Sequence, residues 1–366
     1  MPQIPALTAI RGLAAWWVVL YHFREQAPQL GGALLGNALA HGYLAVDLFF
    51  TLSGFVIALN YSTALERLTA RSYARFLGLR LARIYPLHFV MLLLYLANPL
   101  AILLFSHRAD PGIRYDATYY LLSLVLLQNW GFVDQLAWNV PAWSISTEWA
   151  AYLMFPLLAW GVAPRLRAPA MALALVAGSL MLLSVGAVVS VPTLGAAIPT
   201  FGLFRCLTEF AAGAGLFWLF RHRPATLRHD GTAALLAAAL LAAASIIWTL
   251  PDFLLIPPAF ALLIYGLGRQ PRWVNWLLGW RGLEWIGTIS YSTYLVHYFV
   301  RDWIKFLLLG PGQPRWLALS AYLAATALAS VLLYRLVEVP GRRSVRAVLG
   351  GSARRAGLAP TQAGAG

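Results

Sequence analysis

The chain has 366 residues, 60% of them apolar and only 11% charged, with a mean hydropathy of +0.69. A soluble domain carries about 25% charged residues, so the composition excludes an ordinary soluble enzyme and fits one membrane domain. The net charge of +14 does not signal nucleic acid, because the basic residues fall in short loops between apolar spans, as the positive-inside bias requires.

All basic residues are arginine except Lys305, and the single cysteine, Cys206, excludes an intrachain disulfide and a cysteine-based metal cluster. In chain order, apolar runs predict helices at 7–24, 43–61, 84–106, 143–162, 170–190, 201–220, 232–250, 253–268, 285–309 and 317–337, near the roughly 20 residues that cross a bilayer. The predicted fold is all-α: a polytopic membrane bundle of about ten transmembrane helices. The first run lacks a small-x-small site after it and is expected to be retained rather than cleaved.

Segment 118–130 is apolar but short, and charge decides its course. If it does not cross and the N-terminus is cytoplasmic, eighteen arginines fall in cytoplasmic loops against four outside, Arg24, Arg108, Arg114 and Arg315. If it crosses, every later loop flips and the count becomes six inside against sixteen outside. The first arrangement is expected: both termini cytoplasmic, 107–142 an extracytoplasmic stretch, and 118–130 re-entrant or interfacial. Trp130, Trp138 and Trp143 suit that interface. The layout is a transmembrane domain over 1–340 and a disordered cytoplasmic tail over 341–366, with no evident internal repeat.

Several polar residues interrupt the apolar runs, and ionisable groups inside a membrane are functional candidates. Arg11 and His22 are eleven residues apart, about 20° off one helix face and roughly 16 Å along it. Asp47, at a similar depth to His22, either holds the imidazole as in a hydrolase triad or caps a helix start. Arg80 and Arg83, with Arg71 and Arg75, form a cluster that suits phosphate or lipid headgroups. Ser144 and Glu148 follow Trp143 on one face of a helix. Glu148 is there either a general base or acceptor-orienting group, or a helix-terminus charge. Arg205 and Glu209 are expected to form an internal i,i+4 pair. Ser290, Tyr294, His297 and Arg301 trace one polar face that should line a cavity or a partner helix. Glu338 is placed to meet the arginine cluster near the cytoplasm.

These motifs together resemble the acyltransferase-3 family of membrane O-acyltransferases over nearly the whole chain. The opening Ile4-Pro5-Ala6-Leu7-Thr8-Ala9-Ile10-Arg11-Gly12-Leu13-Ala14-Ala15 is similar to the family's "LDGLRGLAA" start, with Arg11 and His22 at its Arg–x10–His spacing. Val46-Asp47-Leu48-Phe49-Phe50-Thr51-Leu52-Ser53-Gly54-Phe55 resembles its "VDLFFVLSGF". The Arg80–Arg83–Pro86, Trp143–Ser144–Glu148 and Ser290–His297 runs follow in the family's order. Thr8 stands where the family start has Asp. No esterase-like domain follows the last span, which makes a peptidoglycan acceptor a weaker expectation.

The resemblance implies transfer of an acyl group, often acetyl, from cytoplasmic acyl-CoA to a hydroxyl of an extracytoplasmic glycan, lipid-linked sugar or small molecule. The expected catalytic residues are His22, Glu148 and Asp47. Arg11, Arg80 and Arg83 would bind acyl-CoA, and Trp143, Ser144, Arg205, Glu209, Tyr294 and His297 would line the acceptor side. No metal and no tightly bound cofactor are expected. Acyl-CoA serves as co-substrate, the membrane lipids are the other partner, and the expected location is a bacterial inner membrane. A transporter or flippase is the competing class, and a glycosyltransferase using lipid-phosphate sugars a third.

Overall fold

The computed structural model describes residues 4–26, 32–105, 113–162, 165, 168–222, 229–308 and 314–355. Among these every regular element is helical. The helices are α1 (Pro5–Phe23), α2 (Gly32–Ala40), α3 (Ala45–Leu65), α4 (Ala70–Tyr95), α5 (Ala97–Phe105), α6 (Ala117–Leu124), α7 (Trp143–Gly161), α8 (Pro169–Ser190), α9 (Ile198–His222), α10 (Asp230–Ile247), α11 (Asp252–Gly268), α12 (Arg272–Leu278), α13 (Arg281–Thr288), α14 (Ser290–Leu308), α15 (Arg315–Leu333) and α16 (Val339–Arg355). A π-helical turn, Tyr334–Glu338, joins α15 to α16.

Among the described residues seven helical segments are long and apolar enough to cross a membrane, and the sharply bent pair α11–α12 makes an eighth if taken as one span. At the other two expected spans the chain forms the helices α7 and α14, each of 19 residues, which fall short of the same measure. Their polar side chains lower their hydropathy, and those same side chains build the sites described below. The all-α polytopic bundle is thus the fold. Helix α8 shows why it needs a membrane. Its buried residues, Ala172, Val176, Ser179, Leu183 and Ala187, recur at helical spacing, while Leu173, Met181, Val185 and Val188 are exposed. An apolar outer face of this kind is stable against lipid, not water.

The expected non-crossing segment holds. Helix α6 has eight residues, about 12 Å, well under the roughly 30 Å hydrocarbon core. Turns with positive φ at Leu126 and Trp138 follow it. His88 Nε2 bonds Ser123 O at 2.8 Å and the Tyr85 hydroxyl donates to Leu124 O at 2.8 Å, tying this segment to α4. Helix α16 runs through Arg355, past the position 341 at which the tail was expected to begin, and 356–366 lie outside the described residues. So do Arg108, Arg167, Arg223 and Arg228 of the loop count.

The chain divides into two compact units. The first comprises Met1–Ala14, Leu44–Tyr73 and Thr147–Thr288, the second Ala15–Tyr43, Ala74–Ser146 and Ile289–Gly366. In the first, α9 packs against both α3 and α8, and α10 against α11. The α3–α9 crossing is set by two glycines. A Cβ on Gly54 would stand 2.0 Å from Phe210 O, and one on Gly213 would stand 1.9 Å from Thr51 O. Small residues on both faces let the backbones touch, the usual basis of close packing between membrane helices. In the second unit α14 packs on α15, around Val19, Phe23, Ile304, Ala318 and Tyr322. There Phe23 stacks on Tyr322 at 4.5 Å, and the Tyr322 hydroxyl donates to Val19 O at 3.0 Å.

Candidate active site

In the second unit the C-terminal end of α1 brings His22 against α14. His297 lies fully buried with its Nδ1 2.6 Å from Tyr294 O. His22 has its Nδ1 3.0 Å from Val18 O, and 3.3 Å from His297 Nε2. A carbonyl oxygen only accepts, so Nδ1 carries the hydrogen in both neutral rings. The His22 N–H is then shared between Val18 O and the lone pair of His297 Nε2. That leaves His22 Nε2 as the ring nitrogen with a lone pair to offer, on a half-buried side chain. Tyr298 meets the His22 ring edge-to-face at 5.2 Å.

Tyr294 and Ser144, both expected on the acceptor side, meet. Their hydroxyls are 2.9 Å apart, so one donates to the other, and Pro141 O lies within reach of both, 3.0 Å from Tyr294 and 3.1 Å from Ser144, to accept the remaining proton. Trp143 is buried beside them in sequence. Ser146 does not cap α7. Its hydroxyl donates to Leu126 O at 2.8 Å and accepts from Asn129 N at 3.2 Å, pinning the loop after α6.

Further along the second unit, Arg83 pairs with Glu338, which is 1% exposed, while Arg342 lies 3.4 Å from the same carboxylate. Ser292 donates to its other oxygen at 2.7 Å. The π-helical turn places Glu338 in this position, a use typical of such turns at functional sites. The Arg83 guanidinium lies 5.4 Å from the Tyr291 ring centre, and that of Arg80 5.9 Å from the Phe76 ring centre.

In the first unit three of the expected site residues, Asp47, Arg205 and Glu148, are engaged with close partners. The Asp47 carboxylate takes a two-pronged pair from Arg205, Nε to Oδ1 at 2.5 Å and NH2 to Oδ2 at 2.5 Å. Arg205 NH1 donates to Leu194 O at 2.6 Å. The fork of Arg205 therefore goes to Asp47 on α3, not to Glu209 one turn away, which is buried nearby. The planar guanidinium matches a carboxylate edge-on, and α3 offers one at the right depth. Glu148 accepts at Oε1 from Ser53 (2.5 Å) and Tyr152 (2.6 Å). The His22 ring itself is met by Val18 O and by His297. Arg11 donates twice to Gly287 O, at 3.2 and 2.8 Å, near the C-terminal end of α13, where a cation is favourable. Close approach at Gly12 and Gly287 permits this: a Cβ on Gly287 would stand 1.9 Å from Thr8 O.

Of the groups engaged here, Ser53, Tyr152 and Tyr298 were not singled out as site residues from the sequence. The visible signal was weak: Ser53 lies in the quoted 46–55 motif, and Tyr298 directly follows His297.

A helical bundle with apolar outer faces and with histidines, carboxylates and arginines inside it defines a polytopic membrane protein with a chemically equipped interior. The chain belongs to the acyltransferase-3 family: that family's acyltransferase-domain model matches residues 4–335. It is 35% identical to acyltransferase MdmB of Streptomyces mycarofaciens over 42% of this chain and 39% of that protein. It is 24% identical to the peptidoglycan O-acetyltransferase OatA of Listeria monocytogenes, over 93% of this chain and 56% of that protein. With YrhL of Bacillus subtilis, named a putative peptidoglycan O-acetyltransferase, identity is 25% over 93% and 55%. The chain thus spans little more than half the length of these relatives, or less. No solved structure matches it.

Proposed function

We propose that the chain transfers an acyl group, acetyl in the simplest case, from cytoplasmic acyl-CoA to a hydroxyl of an extracytoplasmic glycan, lipid-linked sugar or small molecule. Family membership supports acyl transfer, and the names of the peptidoglycan O-acetyltransferases support a glycan acceptor. The observation that carries the chemistry is the His22 ring, held with Nδ1–H on Val18 O and His297.

His22 Nε2 takes the proton of the acceptor hydroxyl as its oxygen attacks the thioester carbonyl. The tetrahedral intermediate then collapses, breaking the C–S bond, and the CoA sulfur leaves with the proton from the imidazolium. His297 steadies that imidazolium through its Nε2 lone pair. The donor's nucleotide phosphates rest on Arg80 and Arg83 at the arginine-rich end. The pantetheine arm follows α1 from Arg11 to His22, a rise of roughly 16 Å. Glu148 serves as an acceptor-side carboxylate, and Asp47 with Arg205 holds α3 to α9.

Purified full-length protein, acetyl-CoA and a panel of sugar acceptors test this reading. Acceptor-dependent release of the CoA thiol, with an acetyl ester on the sugar, is expected. Sugar movement without thiol release would establish the transporter reading instead.

A further inference from the structure

Four cations stand at the His22 end of the second unit. Arg301 lies 3.6 Å over the Tyr298 ring, whose edge meets His22. Arg301 also reaches Asp302 at 3.1 Å, and Asp302 pairs with Arg114. Lys305 shares the field of Arg301, Glu25, Asp302 and Arg114, and His22 feels Arg301 and Arg24. Arg24 folds over Tyr21 at 4.0 Å. Among the described residues two acids, Glu25 and Asp302, face these four cations, which leaves that set net positive.

This balance is not what topology alone supplies. On the topology expected from the sequence, the loops on this side hold four arginines against eighteen on the other, so cations here run against the bias that fills the opposite side. One carboxylate, Asp302, serves both Arg114 and Arg301, and Arg301 Nε is buried with no hydrogen-bond partner among the described residues. A guanidinium donor left open in a buried position calls for an acceptor.

We infer that this cluster reads an anionic group, a carboxylate or a phosphate, on the sugar whose hydroxyl is acylated. The inference rests on the acyltransferase reading for the presence of an acceptor, but it concerns only what the acceptor carries. A planar guanidinium binds either anion through paired hydrogen bonds. Asp302 keeps Arg114 and Arg301 apart and aligned, and Tyr298 supplies the ring between them and His22.

The test uses the detergent-solubilised full chain at constant ionic strength with glucose, glucuronate and glucose 1-phosphate. These differ in charge but share the hydroxyls at C2, C3 and C4. Binding is read from the shift in melting midpoint, which needs no turnover, and acetyl transfer from acetyl-CoA is followed in parallel. The two anionic sugars are expected to raise the midpoint more than glucose does. Arg114→Gln and Arg301→Lys should each shrink that difference by at least half. Arg114 is partly exposed, so its variant keeps the test valid if the Arg301 variant folds poorly. Selection of glucose 1-phosphate alone would name phosphate as the anion; selection of both would admit carboxylate. Equal shifts for all three sugars, or a difference that survives both substitutions, would overturn the inference. Anion-selective binding without acetyl transfer would uphold it and sink the acyl-CoA reading instead.

Discussion

His297 presents its Nε2 lone pair to the Nδ1–H of His22 across 3.3 Å. The first ring is fixed by its own bond to Tyr294 O, so it acts as an orienting group in the place where hydrolase triads put a carboxylate. His297→Ala is expected to lower kcat by about 5- to 30-fold, the equivalent of a hydrogen bond of about 1–2 kcal/mol. The KM values for donor and acceptor should stay nearly unchanged. A steady-state comparison that finds raised KM values with kcat intact would make His297 a substrate-binding residue instead.

The Asp47–Arg205 pair is buried on both sides, and removal of one partner leaves an uncompensated charge. Arg205→Gln or Asp47→Asn is expected to destabilise the fold by about 3–5 kcal/mol, seen as lost folded protein in detergent extraction. Whatever folds of Asp47→Asn should retain the wild-type kcat. A well-folded Asp47→Asn protein with abolished turnover would restore the catalytic role expected of it from sequence.

Gly54 and Gly213 set the α3–α9 contact from opposite sides. Alanine at either position must push two backbones apart, and overpacking of this kind costs about 1–3 kcal/mol. Gly178→Ala on α8, where an added Cβ meets nothing within 4 Å, is the control and should not lower the melting midpoint. The two crossing variants share one contact, so their combination should fall short of the sum of the single effects.

At the arginine-rich end, Arg80→Ala with Arg83→Ala should raise KM for acetyl-CoA. Acetyl-pantetheine lacks the nucleotide phosphates, and its KM should change little. If both donors suffer equally, the arginines support the fold through Glu338 or the lipid surface rather than the donor.

Much of the fold is legible in the sequence because a bilayer makes simple demands. About 20 apolar residues cross it, and arginines stay on one side. These rules also kept 118–130 from being drawn as a span, as the eight-residue α6 bears out. The helix past 341 was not expected because its arginine- and glycine-rich sequence holds only Val345, Val348 and Leu349 as large apolar residues. The site was legible in its members and not in its pairings. Arg11, His22, His297, Asp47 and Arg205 stand out as polar residues inside apolar runs. Yet His22 and His297 are 275 positions apart, and Asp47 and Arg205 are 158. Helix periodicity relates residues within one helix and is silent about which helix faces which. That is why Arg205 was matched with Glu209 in its own helix rather than with Asp47.

The most direct test of the account is acetyl transfer by His22→Ala, measured on purified protein with the wild-type melting midpoint. General-base catalysis is typically worth about 10²- to 10⁴-fold, so acceptor-dependent release of CoA should fall at least 100-fold, with the KM for acetyl-CoA held within a few-fold. Wild-type turnover by a folded His22→Ala protein would contradict the assignment of His22 as the base.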